Sequence, residues 1–366
     1  MSELRVIISG GGTGGHIFPA IAIANAIKEK VPTAKILFVG AQGRMEMEKV
    51  PQAGYEIKGL NIAGFQRGSL IKNLTLPFKL ISSLYNAYKI ISGFKPNVAV
   101  GVGGYASGPL LRVAGWMGIP TVIQEQNSFA GVTNKLLAKN AKVICTGYEG
   151  MEKVFPKEKI VVTGNPVRQE IVNRTGNRTQ AALYFGLNPE RKIVFITGGS
   201  LGAKTLNQAV EFAIERIKES EVQVLWQTGK FYFNDYKHLA EKVPNLKVLQ
   251  FVDRMDYAYD CADVIVARAG ALSISELQIV GKPVILVPSP NVAEDHQTHN
   301  AMALVNREAA IMIKDSEAKV NLIGAAFDLL ADKAKQEMLS KNIRAMAIPD
   351  AAERIVREIL KVAERG

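Results

Sequence analysis

The chain has 366 residues, of which 48% are hydrophobic and 7% aromatic, so it can fill the cores of two domains of ordinary size. Its two cysteines, Cys145 and Cys261, stand in no CxxC or metal-like spacing, which excludes a disulfide-rich scaffold and favours a reducing compartment. We expect no signal peptide, and the uncharged stretch at residues 96–111 is too short and too rich in glycine to span a membrane.

The first predicted elements are a strand over residues 4–9, a glycine-rich turn and a helix over residues 17–27. Five of the six residues in 10–15 are glycine, and His16 follows them. Glycine lets the backbone approach a ligand closely, and the amides at the start of a helix attract anions. We therefore expect a diphosphate-type pocket with one titratable side chain, although the steric needs of the turn would also explain the glycines.

The second predicted strand, residues 35–40, tests whether this turn binds a dinucleotide. A dehydrogenase of that kind needs an acidic residue near the end of the strand to hold the ribose hydroxyls. Ala41 and Gln42 stand there instead, and Glu46 and Glu48 fall within the next predicted helix. The sequence therefore argues against an NAD-dependent enzyme.

The basic residues are concentrated in the first half of the chain. Residues 1–170 hold 20 Lys and Arg against 10 Glu and no Asp, which accounts for nearly all of the net charge of +11. Within residues 57–142 they alternate with aliphatic and aromatic residues, and Glu125 is the only acidic residue. Since no helix-turn-helix or RNA-binding signature occurs, the pattern favours an anionic membrane over nucleic acid, with residues 65–95 as the docking stretch. A buried helix with solvated lysines is the alternative.

Strands and helical patterns alternate along the rest of the chain. Further strands are predicted at residues 97–102, 120–124, 142–146 and 159–163, and then at 192–197, 222–227, 246–250, 263–266, 283–287 and 309–313. Residues 172–180 have the composition of a polar linker, and residues 351–362 form an amphipathic closing helix. This order predicts an α/β protein with two parallel sheets, helices on both faces and ligands at the carboxyl ends of the strands.

Segments of the second half carry further candidate ligand-binding residues. Residues 198–203 form a second glycine-rich turn, followed by a helix predicted over residues 204–217. After a later strand, the small residues among 267–275 leave room for a ligand, and Glu276 can accept hydrogen bonds from a ribose diol. Polar side chains cluster at residues 295–300, where helix capping would explain Asp295 alone.

Six motifs, in order along the chain, are similar to those of one enzyme family. They are GGTGGHIFPA at residues 11–20, GVGGYASGP at 101–109, EQN at 125–127, GNPVR at 164–168, GGSLGA at 198–203 and ALSISE at 271–276. Over essentially its whole length, the chain resembles the MurG family of UDP-N-acetylglucosamine:N-acetylmuramyl-(pentapeptide) pyrophosphoryl-undecaprenol N-acetylglucosamine transferases.

The resemblance implies the GT-B architecture, in which two Rossmann-like domains with parallel sheets face a deep cleft. Residues 1–168 would form the acceptor-binding and membrane-associating domain, residues 169–350 the UDP-GlcNAc-binding domain and residues 351–366 a closing helix. The implied reaction moves GlcNAc from UDP-GlcNAc to the MurNAc 4-hydroxyl of undecaprenyl-linked lipid I, with inversion, and gives β-1,4-linked lipid II for peptidoglycan synthesis. The implied location is the cytoplasmic face of the bacterial cell membrane, where the protein is peripheral.

The resemblance also implies which residues bind the substrates. The donor-binding residues would be Thr13, Gly14, Gly15, Asn127, Arg168, Ser200, Val252, Arg268, Ala271, Leu272, Ser273, Glu276 and Gln297. Among them, Val252 would meet the uracil through its backbone and Glu276 would hold the ribose. The acceptor diphosphate would lie against Gly103, Gly104 and Tyr105.

An inverting transfer is a single displacement, which needs a base for the acceptor hydroxyl and stabilisation of the departing UDP. His16 is the candidate base because the ordinary pKa of histidine lies near neutral pH, and Glu125 is its rival. Arg168 and the backbone amides from Ser200 onward can stabilise the diphosphate. No Asp-x-Asp motif occurs, so we expect neither an obligatory metal nor another cofactor.

Three alternatives would share the same nucleotide site. A glycolipid synthase would transfer the sugar to diacylglycerol, and a UDP-GlcNAc 2-epimerase would need no membrane surface. A peripheral scaffold would bind UDP-sugar without turnover, and the two glycine turns together with a candidate base argue against it.

Overall fold

The computed structural model describes residues 3–62, 76–292 and 295–364, without the side chains of Leu76 and Pro77. It separates into two compact units. Unit 1 comprises Met1–Val167 and Pro349–Gly366, and unit 2 comprises Arg168–Ile348. Each unit contains one sheet of parallel strands that alternate with helices, so the predicted α/β class is confirmed.

The sheet of unit 1 has seven strands in the order β3-β2-β1-β4-β5-β6-β7. They are β1 (Arg5–Gly10), β2 (Lys35–Ala41), β3 (Glu56–Leu60), β4 (Val98–Gly103), β5 (Thr121–Glu125), β6 (Val143–Thr146) and β7 (Ile160–Val162). The strand order reverses between β1 and β4, where Gly10 pairs with Gly103. At such a switch point the loops that follow the two strands lie side by side, which makes it the usual position of a ligand.

The helices of unit 1 that precede Val167 connect these strands. They are α1 (Gly14–Lys30), α2 (Glu46–Gln52), α3 (Leu76–Phe94), α4 (Ser107–Trp116) and α5 (Val132–Ala138), with short 3-10 turns at Met151–Lys153 and Lys157–Lys159. The sequence analysis missed β3. Its charged residues Glu56 and Lys58 obscure the apolar pattern, because an edge strand buries less of its surface than a central one.

The sheet of unit 2 has six strands in the order β10-β9-β8-β11-β12-β13. They are β8 (Ile193–Thr197), β9 (Gln223–Gln227), β10 (Leu246–Leu249), β11 (Val264–Ala267), β12 (Val284–Leu286) and β13 (Ile311–Met312). In this sheet the strand order reverses between β8 and β11, whose pairing begins with Val194 opposite Val264. The second glycine-rich turn, directly after β8, therefore lies beside the loop that follows β11.

Eleven described helices surround this second sheet. They are α6 (Gln169–Val172), α7 (Arg178–Tyr184), α8 (Lys204–Phe212), α9 (Ile214–Glu219), α10 (Phe233–Tyr236), α11 (Leu239–Lys242), α12 (Met255–Cys261), α13 (Ala271–Val280), α14 (His296–Val305), α15 (Asp315–Ala331) and α16 (Lys333–Ala345). The helix predicted over residues 204–217 is divided at Ala213, which ends α8 and precedes α9.

The segment predicted as a linker, residues 172–180, is shorter than expected. Helix α6 ends at Val172 and α7 begins at Arg178, so only five residues lie between them. Arg174 attaches this connection to unit 2, because its guanidinium donates to the carbonyl oxygens of Ile279 and Val280 and pairs with Asp260. The connection is therefore a packed part of unit 2.

The last helix, α17 (Ala351–Glu364), returns to unit 1. Its apolar face, including Ile355 and Ile359, joins α1 and the strand residues Val6 and Ile8 in one buried cluster. Ile7 points to the opposite face of the same strand and lies in the cluster under α3, α4 and α5. Alternate residues of β1 are thus buried against helices on both sides, as expected for a central parallel strand.

Candidate functional site

The first glycine-rich turn positions His16 in unit 1. Gly12 has a φ of +85°, and the carbonyl oxygen of Thr13 accepts hydrogen bonds from the backbone N–H of His16 and Ile17 at 3.1 and 3.2 Å. The imidazole Nδ1 lies 3.0 Å from the carbonyl oxygen of Gly11. Since a carbonyl oxygen only accepts, Nδ1 carries the hydrogen, and Nε2 is the basic nitrogen of the neutral ring.

The loop after β4 lies directly against this histidine. Gly103 and Gly104 have φ values of +104° and +90°, which glycine adopts without strain. A Cβ atom on Gly103 would lie 2.8 Å from Nε2 of His16, and one on Gly104 would lie 2.5 Å from the carbonyl oxygen of Gly11. Tyr105 follows with an exposed ring. The structure therefore brings the predicted base together with the predicted acceptor-diphosphate residues.

Glu46, which the sequence analysis placed too far along to matter, supports the first glycine-rich turn. It is the first residue of α2 and only 1% exposed. One carboxylate oxygen accepts from the N–H of Gly12 at 2.9 Å, and the other accepts from the N–H of Ala41 at 3.0 Å. A Cβ atom on Gly11 would collide with this carboxylate. The only sequence signal was an acidic residue at the start of the helix after β2.

The carboxylate of Glu125, the rival base, accepts hydrogen bonds from the loop that follows it and from α5. It ends β5 and is 2% exposed. Its carboxylate accepts from the backbone N–H groups of Asn127 and Gly131, each at 3.0 Å, and from the side-chain amide of Asn134 at 2.9 Å. The Asn127 side-chain amide adds a fourth contact at 3.3 Å. Glu125 therefore fixes the loop that carries Asn127, which is predicted to bind the sugar donor.

A buried amide network joins two of the sequence motifs. The side chain of Gln126 donates to the carbonyl oxygen of Val102 at 2.8 Å, at the end of β4. Asn165 donates to the carbonyl oxygen of Gln126 at 2.9 Å and accepts from the side chain of Gln124 at 3.0 Å. The EQN and GNPVR motifs therefore support the strand end from which the Gly103 loop departs.

The glycine-rich turn of unit 2 has a different environment. Gly199 and Gly202 have φ values of +83° and +92°, and a Cβ atom on Gly202 would collide with the carbonyl oxygen of Thr228. The carbonyl oxygen of Ser200 accepts from the N–H of Lys230 at 3.0 Å, which connects the turn to the loop after β9. Within the described residues, none of the hydrogen bonds of this turn involves a carboxylate. It therefore differs from the first turn, where Glu46 occupies the Gly12 amide.

Two unit 2 residues that are predicted to bind the sugar donor, Arg168 and Glu276, contact each other. Nε of Arg168 donates to Oε1 of Glu276 at 2.9 Å, and the hydroxyl of the buried Tyr259 donates to Oε2 at 3.0 Å. Burial disfavours the Arg168 cation, but the neighbouring carboxylate outweighs this effect and raises the pKa of Arg168 above its ordinary value. Burial also raises the pKa of Tyr259 well above its ordinary value, so its hydroxyl remains a donor. The sequence analysis missed Tyr259.

The guanidinium of Arg268, which is also predicted to bind the sugar donor, contacts a carboxylate and backbone carbonyl oxygens of the protein. It pairs with Asp315 and donates to the carbonyl oxygen of Val287 at 3.0 Å. The second oxygen of Asp315 accepts from the hydroxyl of Thr205 at 2.8 Å, in the first turn of α8. Arg268 and Asp315 thus brace the loops after β11 and β12 against the helix that follows the glycine-rich turn.

The other predicted residues occupy loop ends and helix starts. Gly14 and Gly15 begin α1, and Ala271, Leu272 and Ser273 begin α13. The side-chain oxygen of Gln297, on α14, accepts from the N–H of Ser289 at 2.8 Å, and Val252 is buried in the loop between β10 and α12. Among the predicted unit 2 residues, Arg168 directly precedes α6 and Gln297 lies on α14, whereas the others lie in the segments that follow β8, β10 and β11.

Part of the predicted membrane-docking stretch can be described. Arg67 and Lys72 lie outside the described residues, whereas α3 covers Lys79 and Lys89. This helix exposes large apolar side chains, which we call the apolar face of α3: Phe78, Leu80, Ile81, Tyr85 and Tyr88. Phe78 is 77% and Ile81 66% exposed, and the Lys89 ammonium lies 4.4 Å from the centre of the Tyr85 ring. None of the helices in the described parts of the chain is long and apolar enough to cross a membrane.

Comparisons with known proteins agree with this division into two units. The model of the glycosyltransferase family 28 N-terminal domain matches residues 6–146, and that of the C-terminal domain matches residues 193–355. The chain is 54% identical to the UDP-N-acetylglucosamine--N-acetylmuramyl-(pentapeptide) pyrophosphoryl-undecaprenol N-acetylglucosamine transferase of Flavobacterium psychrophilum, over 100% of this chain and 99% of the relative. It is 57% identical to the enzyme of the same name from Phocaeicola vulgatus, over 99% of this chain and 97% of the relative.

A solved structure gives the same result. The crystal structure of Acinetobacter baumannii MurG matches with a TM-score of 0.80 and 29% identity, over 98% of this chain and 99% of that one. The resemblance carried by the six motifs thus extends to full-length sequence and to fold. The chain belongs to glycosyltransferase family 28 and, within it, to the MurG family.

Proposed function

We propose that this chain is the inverting transferase that moves GlcNAc from UDP-GlcNAc to the MurNAc 4-hydroxyl of lipid I and produces lipid II for peptidoglycan synthesis. The observation that carries the proposal is the match, at more than half identity and over the full length, to relatives named for this transfer. The donor and acceptor groups described above are present in the same chain, which supports an active enzyme.

Unit 2 supplies the groups that a UDP-sugar requires. The Glu276 carboxylate accepts one described hydrogen bond on each oxygen, from Arg168 and Tyr259, and so retains capacity for the two ribose hydroxyls. Among the described hydrogen bonds, the backbone amides of the turn at Ser200 have no carboxylate partner, which suits the diphosphate. The uracil would contact the backbone of Val252, and the sugar would contact the side chain of Gln297.

In unit 1, Thr13, Gly14, Gly15 and Asn127 are further residues that we propose as donor contacts. In the same unit, Gly103 and Gly104 leave space for the acceptor diphosphate. Arg268 would act mainly by holding its loop, because Asp315 and two backbone carbonyl oxygens already engage its guanidinium.

His16 is the better candidate for the base. Its Nδ1 donates to the Gly11 carbonyl oxygen, so Nε2 is the ring nitrogen that can take the proton of the acceptor hydroxyl. Glu125 accepts four hydrogen bonds from the loop that follows it and from α5, and taking a proton from a substrate would require these to break. As UDP departs, Arg168 and the amides at Ser200 would stabilise the developing negative charge. Activity in excess EDTA would support chemistry without a metal.

We also propose that the protein is peripheral to the cytoplasmic face of the membrane and docks through the apolar face of α3 and its neighbouring basic residues. Each basic residue near an anionic surface contributes about 1 kcal/mol. Replacing Arg67, Lys72, Lys79 and Lys89 together with glutamate should release the protein from phosphatidylglycerol vesicles. Transfer to a water-soluble lipid I analogue should continue. A variant that sediments with vesicles like the parent at low salt would contradict this surface assignment.

The transfer itself is tested with radiolabelled UDP-GlcNAc and a short-chain lipid I analogue. We expect label in a lipid-linked disaccharide with a β-1,4 bond, and no label in diacylglycerol. Incubation with UDP-GlcNAc alone should yield no epimerised sugar nucleotide. Formation of UDP-ManNAc, or binding of UDP-GlcNAc without transfer, would overturn the proposal in favour of an epimerase or a scaffold.

A further inference from the structure

The peptide group between Gly11 and Gly12 is hydrogen-bonded on both sides. Its carbonyl oxygen, on Gly11, accepts from Nδ1 of His16 at 3.0 Å. Its N–H, on Gly12, donates to the carboxylate of Glu46 at 2.9 Å. A single peptide group therefore separates a buried carboxylate from the proposed catalytic imidazole.

Hydrogen bonds to both carboxylate oxygens and close packing against two glycines hold the Glu46 side chain in one orientation. Its second oxygen accepts from the N–H of Ala41, at the end of β2. Gly11 and Gly40 bear no side chains where Glu46 packs, and a Cβ atom on either would lie within 2.5 Å of it. No ion pair of Glu46 occurs among the described parts of the chain, so its interactions are with backbone amides.

Burying a carboxylate in this way costs free energy that a smaller neutral residue would avoid. Hydrogen bonds that share a group strengthen each other, because each polarises the next. A carboxylate on the N–H of a peptide increases the negative charge on its carbonyl oxygen. That oxygen then accepts more strongly from Nδ1 and makes Nε2 more basic, as a carboxylate does when it contacts an imidazole directly.

We propose that Glu46 is a positioning residue that orients and activates His16 through the Gly11–Gly12 peptide group. The proposal rests on the proposed function, in which His16 is the base. Glu46 touches neither substrate and acts only through the peptide. This role explains why α2 begins with a buried glutamate. In a dinucleotide-binding enzyme an acid after the second strand would bind the ribose, and we assign no such contact to Glu46.

The first test is a double-mutant cycle on kcat with saturating UDP-GlcNAc and a soluble lipid I analogue. Glu46→Gln should lower kcat by about tenfold or more while the donor KM changes by less than about twofold, the pattern of an interaction made in the transition state. In the His16→Ala background the same change should have no further effect, because residues that act as a unit are not additive. Glu48→Gln, on an exposed position of the same helix, is the matched control and should leave kcat unchanged.

An equal loss of kcat in both backgrounds would show that Glu46 only supports the loop and would overturn the proposal. So would an unchanged kcat in Glu46→Gln. Glu46→Asp keeps the charge and should retain more activity than Glu46→Gln. The reverse order would contradict a role for the charge.

The second test does not depend on activity. The chain has four histidines, so the ¹⁵N signals of His16 can be assigned by comparison with His16→Ala. In Glu46→Gln we expect the titration midpoint of His16 to fall and its Nδ1–H tautomer to become less populated. An unmoved midpoint and tautomer would overturn the proposal, even if kcat fell. If His16→Ala kept full transfer activity, the base assignment would fail, and the NMR titration would still decide whether Glu46 acts on His16.

Discussion

Arg168 and Glu276 are 108 residues apart in the chain, and Nε of Arg168 donates to Oε1 of Glu276 at 2.9 Å. Tyr259 donates to the second oxygen from a fully buried position, so the carboxylate is fixed before any ribose arrives. Preorganisation of this kind reduces the ordering that substrate binding must otherwise impose.

Removing this carboxylate should weaken donor binding. Loss of a charged hydrogen-bond partner costs about 1.5–3 kcal/mol. For Glu276→Ala we expect a rise of about tenfold to hundredfold in the KM for UDP-GlcNAc, with a smaller effect on the acceptor KM. A 2′-deoxyuridine donor should lose less from the substitution, because one of the two hydrogen bonds is already absent. Glu170→Ala removes an exposed partner of Arg168 and serves as the control; an equal effect of both substitutions would contradict the ribose assignment.

A methyl group on Gly103 should displace the proposed base. The added Cβ would lie 2.8 Å from Nε2 of His16, and the φ of +104° disfavours any side chain. For Gly103→Ala we expect kcat to fall by about tenfold to hundredfold. Gly93→Ala, at a helical position with open space, should behave like the parent. Full activity of Gly103→Ala in steady-state assays would remove His16 from the reacting centre.

The buried Lys282 should make stability depend on pH in a defined window. Its Nζ donates to the carbonyl oxygens of Asp260 and Ala262, and burial lowers the pKa of Lys282 to about 8. Between that value and the ordinary pKa of 10.5, the unfolded chain binds more protons at this residue than the folded chain. The contribution of Lys282 to the free energy of unfolding should therefore rise with pH across this window, by up to about 1.4 kcal/mol per pH unit.

Urea unfolding at pH 7.5, 8.5 and 9.5, with Lys282→Met as reference, measures this contribution separately from other titrating groups. The difference in the free energy of unfolding, parent minus variant, should increase at each step. A constant or decreasing difference would show that the ammonium remains charged at these pH values.

The two thiols should be inert in the folded protein. Both cysteines are buried, and burial raises the pKa of Cys145 to about 12 and that of Cys261 to about 11. Since the thiolate is the reactive form, DTNB at pH 8 should modify neither residue in the native state and both in denaturant. Rapid native modification of either thiol would mean that its part of the core opens readily.

The apolar face of α3 should contribute to membrane binding independently of the lysines. Phe78→Ser and Ile81→Ser remove two exposed apolar side chains, each worth about 1.5–3 kcal/mol when fully buried. We expect the double variant to bind phosphatidylglycerol vesicles at least about tenfold more weakly, at both low and high salt. The control is Phe212→Ser, which removes an exposed phenylalanine of unit 2 and should leave vesicle binding unchanged. The assignment fails if both proteins lose binding equally.

The alternation of apolar runs and glycine turns was sufficient to predict both sheets and nearly all of their strands. Apolar runs that are buried on both faces leave a strong signal, whereas the half-polar edge strand β3 does not. The position of Gly103 at the end of β4, and those of His16 and Glu276 in the helices that follow β1 and β11, could likewise be predicted from motif order. Glu46 and Tyr259 could not, because their importance comes from contacts over 34 and 17 residues that only the folded chain creates. The bracing of Arg268 by Asp315 was hidden for the same reason.

The return of α17 to unit 1 constrains the order in which the protein can fold during synthesis. The ribosome completes all of unit 2 before residues 351–364 emerge, and until then Ile17, Ile23 and the neighbouring face of β1 lack one of their packing partners. The nascent first unit therefore carries an uncovered apolar surface while the second unit is being made, when such surfaces are prone to aggregate. A chain cut after Val167 would keep that surface permanently, so a separately expressed unit 1 should include residues 349–366, joined by a short linker in place of unit 2.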